Sequence, residues 1–245
     1  IRSERPDLPV GLVLNAHQTY AGSDSAADQA AAARAFDFHN GIFFGPVFKG
    51  EYPESFLSAL GHRMPQIEPG DMETISQPLD WWGLNYYTPM RVSHDPSEGA
   101  VFPATLPAPP VADVQTDIGW EVYAPALGDL IRKLNAAYAL PDCYITENGA
   151  CYNMGVENGM VDDQPRLDYI AEHLGVTADL IGEGYPMRGY FAWSLMDNFE
   201  WAEGYRMRFG IVHVDYDTQV RTIKKSGQWY GELAGQFPKG NHRTA

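Results

Sequence analysis

Four short apolar runs stand out along the chain, each bounded by polar residues, glycine or proline. Continuous apolar runs of this length are typical of strands that are buried on both faces of a parallel sheet. Strands are therefore predicted over 10–15 (VGLVLN), 79–87 (LDWWGLNYY), 143–146 (CYIT) and 189–195 (GYFAWSL). Shorter apolar stretches at 210–214 and 221–224 predict a small hairpin.

Between these runs, apolar residues recur at helical spacing. The clearest helix is predicted over 120–138, where one face carries Val122, Ala126, Leu127, Leu130, Ile131 and Leu134. Ser23 and Asp24 are N-cap residues for an alanine-rich helix that reaches about residue 40. Further helices are predicted over 165–183 and 226–237. The five prolines within 90–117 exclude a helix or a central strand there, and the aromatic stretch 43–52 is predicted to be irregular.

Strands that alternate with helices predict a parallel α/β sheet. About four strand–helix units can be counted, whereas a closed parallel barrel needs eight. No internal repeat and no linker divides the chain, so we expect residues 1–245 to form a single region that is half of such a barrel. Because a half barrel leaves two sheet edges uncovered, we expect the chain to dimerise, to pair with the missing half or to aggregate.

Composition narrows the possible partners. The 245 residues include 17 Lys and Arg against 32 Asp and Glu, a formal net charge of -15 that disfavours nucleic acid and anionic membranes. No apolar run reaches the ~18 residues of a membrane span, and no signal peptide is predicted. The two cysteines, Cys143 and Cys151, form no disulfide framework and favour a reduced, cytoplasmic protein.

Glu147 is the main candidate for chemistry, because it directly follows the third predicted strand in the run CYITENG. Barrel enzymes carry their reactive groups at the C-terminal ends of strands, where a carboxylate reaches the rim of a pocket. The following residues, Asn148 and Gly149, are predicted to reverse the chain in a turn, since both tolerate a positive φ. A surface turn that happens to contain a glutamate is the alternative for this segment taken alone.

Other predicted strand ends also combine polar and aromatic residues. Asn85, Tyr86 and Tyr87 end the second strand, Trp193 ends the fourth, and the following loop reads DNFEWAEGY over 197–205. Carboxylates and amides bind sugar hydroxyls, while an indole stacks on the apolar face of a sugar ring. The pattern therefore favours a carbohydrate site, with core packing as the alternative for the tryptophans.

Three runs resemble glycoside hydrolase family 1, the β-glucosidase family: YITENGA, GLNYYTP and WSLMDNFEWAEGYRMRFGIVHVDY. The resemblance extends over nearly the whole chain, through LVLN near the start, FKGEYP over 48–53 and the closing KKSGQWY. The resemblance implies an eight-stranded α/β barrel, of which this chain covers strands 5–8. It also implies hydrolysis of β-glycosides with retention of configuration.

The resemblance assigns a role to each candidate residue. Glu147 corresponds to the nucleophile, and Tyr87 to the tyrosine that donates a hydrogen bond to it. The substrate-binding positions are Asn85, which lines the sugar site, Trp193 beneath the sugar ring, Glu200 and Trp201 at the outer hydroxyls, and Phe209 in the pocket wall. Because Glu200 would repel a phosphate, a neutral glycone is expected, with glucose, galactose and fucose left open.

A retaining glycosidase needs two carboxylates about 5 Å apart, one as nucleophile and one as acid/base. The family carries its acid/base glutamate in an Asn-Glu-Pro motif, and no Asn-Glu-Pro occurs among the 245 residues. We therefore expect activity only together with the missing N-terminal half. The alternative is a catalytically incomplete sugar-binding fragment.

The remaining acids and histidines are given lesser roles. Asp197, Glu203 and Asp215 are expected to serve hairpin geometry and surface charge. The histidines lack metal-ligand spacing, so neither a metal nor another cofactor is expected, and a metal-dependent hydrolase is the least favoured reading.

Overall fold

The structure is a computed structural model that describes residues 1–237, so residues 238–245 of the expected single region lie outside it. Its strands are β1 (Gly11–Asn15), β2 (Thr19–Ala21), β3 (Trp81–Asn85), β4 (Met90–His94), β5 (Thr105–Pro107), β6 (Asp142–Asn148), β7 (Met187–Ala192), β8 (Val212–Val214) and β9 (Arg221–Ile223). Its α-helices are α1 (Ala26–Phe36), α2 (Ile42–Lys49), α3 (Glu54–Leu60), α4 (Asp71–Ile75), α5 (Pro125–Ala137), α6 (Gln164–Gly182) and α7 (Lys225–Gly235).

The four predicted apolar runs form one sheet, in the order β1-β3-β6-β7. All three pairings are parallel, which confirms the prediction from alternating strands and helices. Strands β8 and β9 pair antiparallel as the predicted hairpin. The proline-rich excursion contains two strands that sequence patterning did not predict, β4 and β5, which form a small second sheet in the order β2-β4-β5. The exclusion of a central strand over 90–117 is therefore wrong for β4, because none of the five prolines lies within Met90–His94.

The helices begin where local chemistry allows them to. The N-cap of helix α1 is Ser25, just after the predicted caps Ser23 and Asp24, because Ser25 accepts a hydrogen bond from Asp28 N at 3.1 Å. Helix α5 starts at Pro125 rather than at residue 120, and proline is favoured in the first helical turn. The later start of α5 leaves Trp120 outside the helix and available to the candidate site.

The aromatic stretch 43–52 was predicted to be irregular, and this prediction is wrong. Helix α2 covers Ile42–Lys49 even though Pro46 lies inside it. Phe44, Gly45 and Pro46 are all buried, so tertiary packing offsets the hydrogen bond that the proline lacks. Gly50 ends the helix in the left-handed conformation (φ 70°), a stop signal that is readable in the sequence.

The main hydrophobic core lies between the parallel sheet and helix α5. Leu127, Leu130, Ile131 and Leu134 face inward from the helix and are fully buried. On the sheet they meet Trp82, Leu84, Cys143 and Ile145. A second cluster joins α6 to the segment that follows β6, through Tyr169 and Ile170. Both clusters hold β6 in place, and β6 carries Glu147.

The two outer strands of the sheet, β1 and β7, each have one strand neighbour in the described part of the chain. Both expose large apolar side chains: Leu12 and Val13 on β1 are 39% and 41% exposed, and Phe191 on β7 is 56% exposed. Uncovered apolar side chains on an edge strand favour association with another segment or chain. The expected dimerisation or pairing remains a prediction, and these exposed side chains on the outer strands support it.

Candidate active site

The C-terminal ends of the parallel strands bring the candidate residues to one edge of the sheet. Asn85 ends β3 and pairs in register with Glu147 on β6. Trp193 follows the last residue of β7, and its N–H donates to Asn148 O at 2.9 Å. Glu147, Asn85 and Trp193 therefore lie beside one another, as parallel strand ends must.

A register shift in the β3–β6 pair lies immediately before Glu147. Leu84 pairs with Ile145 and Asn85 pairs with Glu147, so Thr146 is an extra residue in β6. Its hydroxyl donates to Asn85 Oδ1 at 2.7 Å, which fixes the amide of Asn85. Because an extra residue changes which way the following side chains point, the bulge re-aims Glu147 at the end of its strand.

The closest contact of the site is a hydrogen bond from the Tyr87 hydroxyl to Glu147 Oε2. Burial raises the pKa of Tyr87 far above its usual range, and the hydrogen bond to Glu147 raises it further. Tyr87 therefore stays protonated and acts as a donor. The protonated Tyr87 hydroxyl can only donate to the carboxylate, so this hydrogen bond orients Glu147.

Two aromatic side chains surround Tyr87. The Tyr87 ring lies 5.5 Å from the Trp120 ring and 6.1 Å from the Phe209 ring, measured between centroids. Trp120 and Phe209 are themselves 5.8 Å apart, and Cys151 and Met207 complete the cluster. This packing restricts the Tyr87 ring, so its hydroxyl is presented to Glu147 in a fixed direction.

Glu200 lies close enough to Glu147 and Trp193 to respond to both. Burial raises the pKa of Glu200, contact with the Trp193 side chain lowers it, and the charge of Glu147 raises it again. The loop after β7 therefore returns a second carboxylate towards Glu147. Glu200 is placed to accept hydrogen bonds from a neutral ligand, and it would repel an anionic one.

Trp201 differs from the other candidates, because it is 82% exposed. It begins a short 3-10 turn, Trp201–Glu203, and its indole has no aromatic partner among the described residues. A groove of about 700 Å³ next to Trp193 is lined in part by Leu195, Phe199, Tyr205 and Tyr216, and Glu147 is not part of its wall. The groove therefore adjoins the candidate site and is not the site itself.

Asp197 was expected to serve hairpin geometry and surface charge, and the surface part of that prediction is wrong. Its side chain is fully buried and accepts hydrogen bonds from Lys224 Nζ at 2.8 Å and Arg208 Nη1 at 2.7 Å. It also accepts from Gly210 N at 3.0 Å, inside the predicted hairpin region. Asp197 thereby ties the loop that carries Glu200 to the β8–β9 hairpin.

The Asn148–Gly149 turn was also predicted wrongly. Neither residue has a positive φ, and Asn148 is the last residue of β6 rather than part of a turn. Gly149 is required for a different reason: a Cβ there would lie 1.9 Å from Trp193 O. Glycine at 149 therefore permits the ends of β6 and β7 to approach one another.

Patterning missed three residues that support the site: Trp120, Asn148 and Tyr169. Trp120 was assigned to a helix, Asn148 to a turn, and Tyr169 was treated as an ordinary helix residue. A partial signal existed for Tyr169, since Arg166, Tyr169, Ile170 and His173 share one helical face. The contacts of Asn148 and Trp120 are long-range and leave no local pattern.

The described residues contain no group of three or more histidine, cysteine or acidic side chains that could hold a metal ion. Both cysteines are free and buried. Within residues 1–237, no helix is long and apolar enough to cross a membrane.

Comparison with known proteins gives one consistent family. The model of glycosyl hydrolase family 1 matches residues 1–237. A beta-glucosidase from Agrobacterium sp. (strain ATCC 21400) is 71% identical over 244 residues, which are 100% of this chain and 53% of that protein. Beta-glucosidase A from Thermotoga maritima is 40% identical over 93% of this chain and 50% of that protein.

Solved structures agree with the sequence relatives. The virulence factor SghA from Agrobacterium tumefaciens, solved with its substrate analog salicin, is 72% identical, with a TM-score of 0.95. The aligned region covers 97% of this chain and 52% of that one. The chain spans about half the length of the curated relatives that it matches, in their C-terminal portion. These matches confirm the predicted α/β-barrel class, of which this chain is a part.

Proposed function

This chain belongs to glycosyl hydrolase family 1, and we propose that it supplies the nucleophile side of a retaining β-glucosidase site. In this proposal Glu147 attacks the anomeric carbon, and Tyr87 holds and polarises the attacking carboxylate. Asn85, Trp193, Glu200, Trp201 and Phe209 bind the sugar that is transferred.

The hydrogen bond from Tyr87 to Glu147 is the observation that carries the proposal. The bond occupies Oε2 of the carboxylate, and no described residue donates to Oε1. Oε1 therefore keeps its lone pairs for attack on carbon. A carboxylate that served only to stabilise the fold would be expected to use both oxygens in salt bridges or hydrogen bonds, as buried Asp197 and Asp163 do.

The reaction would proceed in two steps. In the first, Glu147 Oε1 forms an ester to C1 of the sugar while the bond from C1 to the leaving oxygen breaks, and a second carboxylic acid protonates that oxygen. In the second, the same group removes a proton from water, which attacks C1 and releases Glu147. Two inversions at C1 return the original β configuration.

The second carboxylate must come from elsewhere, because no Asn-Glu-Pro occurs in the chain. We propose that the uncovered edges of β1 and β7 receive the N-terminal half of the barrel, which would bring that carboxylate. A second copy of this chain could cover the same edges, but it would carry no Asn-Glu-Pro. Leu12, Val13 and Phe191 would then be buried by the added segment. Sedimentation velocity checks the association, and a stable monomer with activity on unactivated glucosides would contradict it.

The glycone is proposed to be neutral. Glu200 combines partial burial with a nearby negative charge at Glu147, so a sugar phosphate would meet two carboxylates there. Sugar hydroxyls can instead donate to Glu200 and accept from Asn85 Nδ2, since Asn85 Oδ1 already accepts from Thr146. The Trp193 indole suits the apolar face of a pyranose. The relatives named beta-glucosidase support glucose as the first substrate to test.

Labelling with 2-deoxy-2-fluoro-β-glucosyl fluoride tests the proposal. Fluoride departs without a proton donor, so the label reports the nucleophile step and does not need the acid/base group. Peptide mapping by mass spectrometry should place the label on Glu147. The Glu147→Gln variant should stay unlabelled, and Glu157→Gln, which changes an exposed acid in the loop after β6, should label like the wild type.

A sugar-binding fragment without turnover is the second candidate, and the missing Asn-Glu-Pro favours it. Such a protein would bind a gluco-imidazole in calorimetry and leave cellobiose intact. Release of glucose from cellobiose by the purified 245-residue chain would exclude this candidate.

We also propose a cytoplasmic location, supported by the two cysteines, which are buried and unpaired.

A further inference from the structure

Asn148, the residue after Glu147, is fully buried, and its side chain makes three hydrogen bonds. Its Nδ2 donates to Tyr86 O at 2.8 Å and to the Tyr169 hydroxyl at 3.0 Å. Its Oδ1 accepts from the Tyr190 hydroxyl at 2.5 Å. The amide therefore uses both donors and its acceptor, and it connects β6 to β7, to α6 and to the end of β3.

Tyr169 continues this network to the neighbour of the nucleophile. Its hydroxyl donates to Tyr87 O at 2.6 Å, while it accepts from Asn148. The side chain is buried and stacks on His173, with ring centroids 4.0 Å apart. The ring is thus held by packing on α6, and its hydroxyl fixes a backbone carbonyl that lies outside any strand.

This support matters because Tyr87 lies beyond the last paired residue of β3, which is Asn85. The sheet itself holds this segment only through Tyr86 N, which donates to Glu147 O at 2.9 Å. The carbonyls of Tyr86 and Tyr87 are held instead by Asn148 and Tyr169. The backbone on both sides of the Tyr87 Cα is consequently fixed relative to β6, the strand that carries Glu147.

We propose that Asn148 and Tyr169 are a positioning pair that sets the Tyr87 hydroxyl against Glu147. The inference rests on the proposed function, in which that hydrogen bond holds the nucleophile. Neither residue touches the substrate, because both are buried beneath the strand ends. They act through Tyr87, and a misplacement of about 1 Å at a reacting group can cost about 100-fold in rate.

The Tyr169→Phe variant tests the pair, because it removes one oxygen atom and keeps the ring that stacks on His173. Tyr230→Phe is the matched control, since its hydroxyl also donates to a backbone carbonyl, Tyr190 O at 2.9 Å, away from Tyr87. The measurement is the labelling of Glu147 by 2-deoxy-2-fluoro-β-glucosyl fluoride over a range of concentrations. It separates the limiting rate from the half-saturating concentration.

We expect Tyr169→Phe to lower the limiting rate by about 10- to 100-fold while the half-saturating concentration changes less than about twofold. Tyr230→Phe should label like the wild type. In a Tyr87→Phe background, Tyr169→Phe should have no further effect on the rate, because its route of action is already removed. A purely structural role would lower the rate equally in both backgrounds, and that result would overturn the proposal.

Two further outcomes are distinguishable. A wild-type protein that stays unlabelled at Glu147 overturns the proposed function and this inference together. A wild type that labels, with Tyr169→Phe equally fast, overturns the inference alone. Should Tyr169→Phe fail to fold, Asn148→Ser tests the other member of the pair. That variant must show the same loss of limiting rate and the same dependence on Tyr87.

Discussion

Replacing Gly149 with alanine is the sharpest test of how the strand ends are assembled. A Cβ at this position would lie 1.9 Å from Trp193 O and 2.9 Å from Trp193 C, whereas ordinary contacts begin at 3.4 Å. The obstructing atoms belong to the backbone, so no side-chain rotation relieves the clash. The ends of β6 and β7 would have to separate by roughly 1.5 Å, which is the difference between an ordinary contact of 3.4 Å and the 1.9 Å to Trp193 O.

The cost of the Gly149→Ala variant follows from what that separation breaks. Overpacking of a well-packed site costs about 1–3 kcal/mol. The hydrogen bond from Trp193 N to Asn148 O, 2.9 Å long, would be lost as well, at about 0.5–1.5 kcal/mol. We therefore expect the free energy of unfolding to fall by about 2–4 kcal/mol. Displacement of Trp193 should also weaken binding of a gluco-imidazole.

Urea denaturation followed by tryptophan fluorescence measures the loss, with the slope m compared between variants to confirm two-state behaviour. Gly155→Ala is the control, since a Cβ at 155 meets nothing within 4 Å and its φ is not positive. The control should be as stable as the wild type or slightly more stable. A Gly149→Ala protein within about 0.5 kcal/mol of the wild type would refute the close approach of the two strand ends.

Three further predictions concern the interior. Burial lowers the pKa of His173 to about 4, below the ~6.5 of a histidine in an unfolded chain. Between pH 6.5 and pH 4 the unfolded state therefore gains a proton that the folded state does not, and the free energy of unfolding should fall by about 3 kcal/mol over this range. Urea titrations at pH 7, 5 and 4 should show a shallower acid loss in His173→Gln, and parallel losses would contradict the burial argument. Asp163→Asn leaves the fully buried Arg166 without its carboxylate and should lower the free energy of unfolding by about 3–5 kcal/mol in the same assay. Glu183→Gln removes the carboxylate of an exposed pair with Arg132 and should cost far less. Leu130→Ala should cost about 2–5 kcal/mol as a cavity in the main core, and a smaller loss would show that the core around α5 can collapse.

Patterning predicted best those elements whose hydrophobic periodicity is set by a single packing interface. Helix α5 has a buried stripe at helical spacing, and strands β1 and β6 are short apolar runs between polar residues. Helix α5 and strand β6 lie against the main core, so one interface sets their patterns. Strand β1 was predicted to be buried on both faces, and this is wrong, because it contacts that core through Leu14 and leaves Leu12 and Val13 exposed. The parallel sheet order then follows from chain connectivity alone.

The predictions that were wrong share a different cause. Helix α2 forms around Pro46 because its aromatic residues are buried by distant parts of the chain. Asn148 and Gly149 match a turn pair by composition, yet Asn148 is fixed by three distant hydrogen-bond partners and Gly149 by the backbone of Trp193. Contacts of this range leave no local periodicity, so propensity alone gives the wrong answer.

Candidate site residues are easier to place than the residues that support them. Glu147 and Asn85 are recognisable because strand ends can be predicted, and the register of β3 with β6 then brings them together. Asp197 looked like a hairpin residue because its partners, Arg208 and Lys224, are 11 and 27 positions away. A buried charge is identified only when its counter-charges are known.

The position of β6 in the sheet explains how the proposed nucleophile can be held by a chain that spans about half the length of its relatives. Glu147 lies on a strand paired on both sides, by β3 and by β7, and not on either outer strand of the described sheet. Its hydrogen-bond donor, Tyr87, is fixed by α6 and by the Trp120 and Phe209 rings, all within residues 1–237. The exposed apolar residues Leu12 and Phe191 lie on the outer strands instead. A segment that adds to those strands would therefore leave the surroundings of Glu147 unchanged, so the geometry of Glu147 and Tyr87 should be the same before and after it binds.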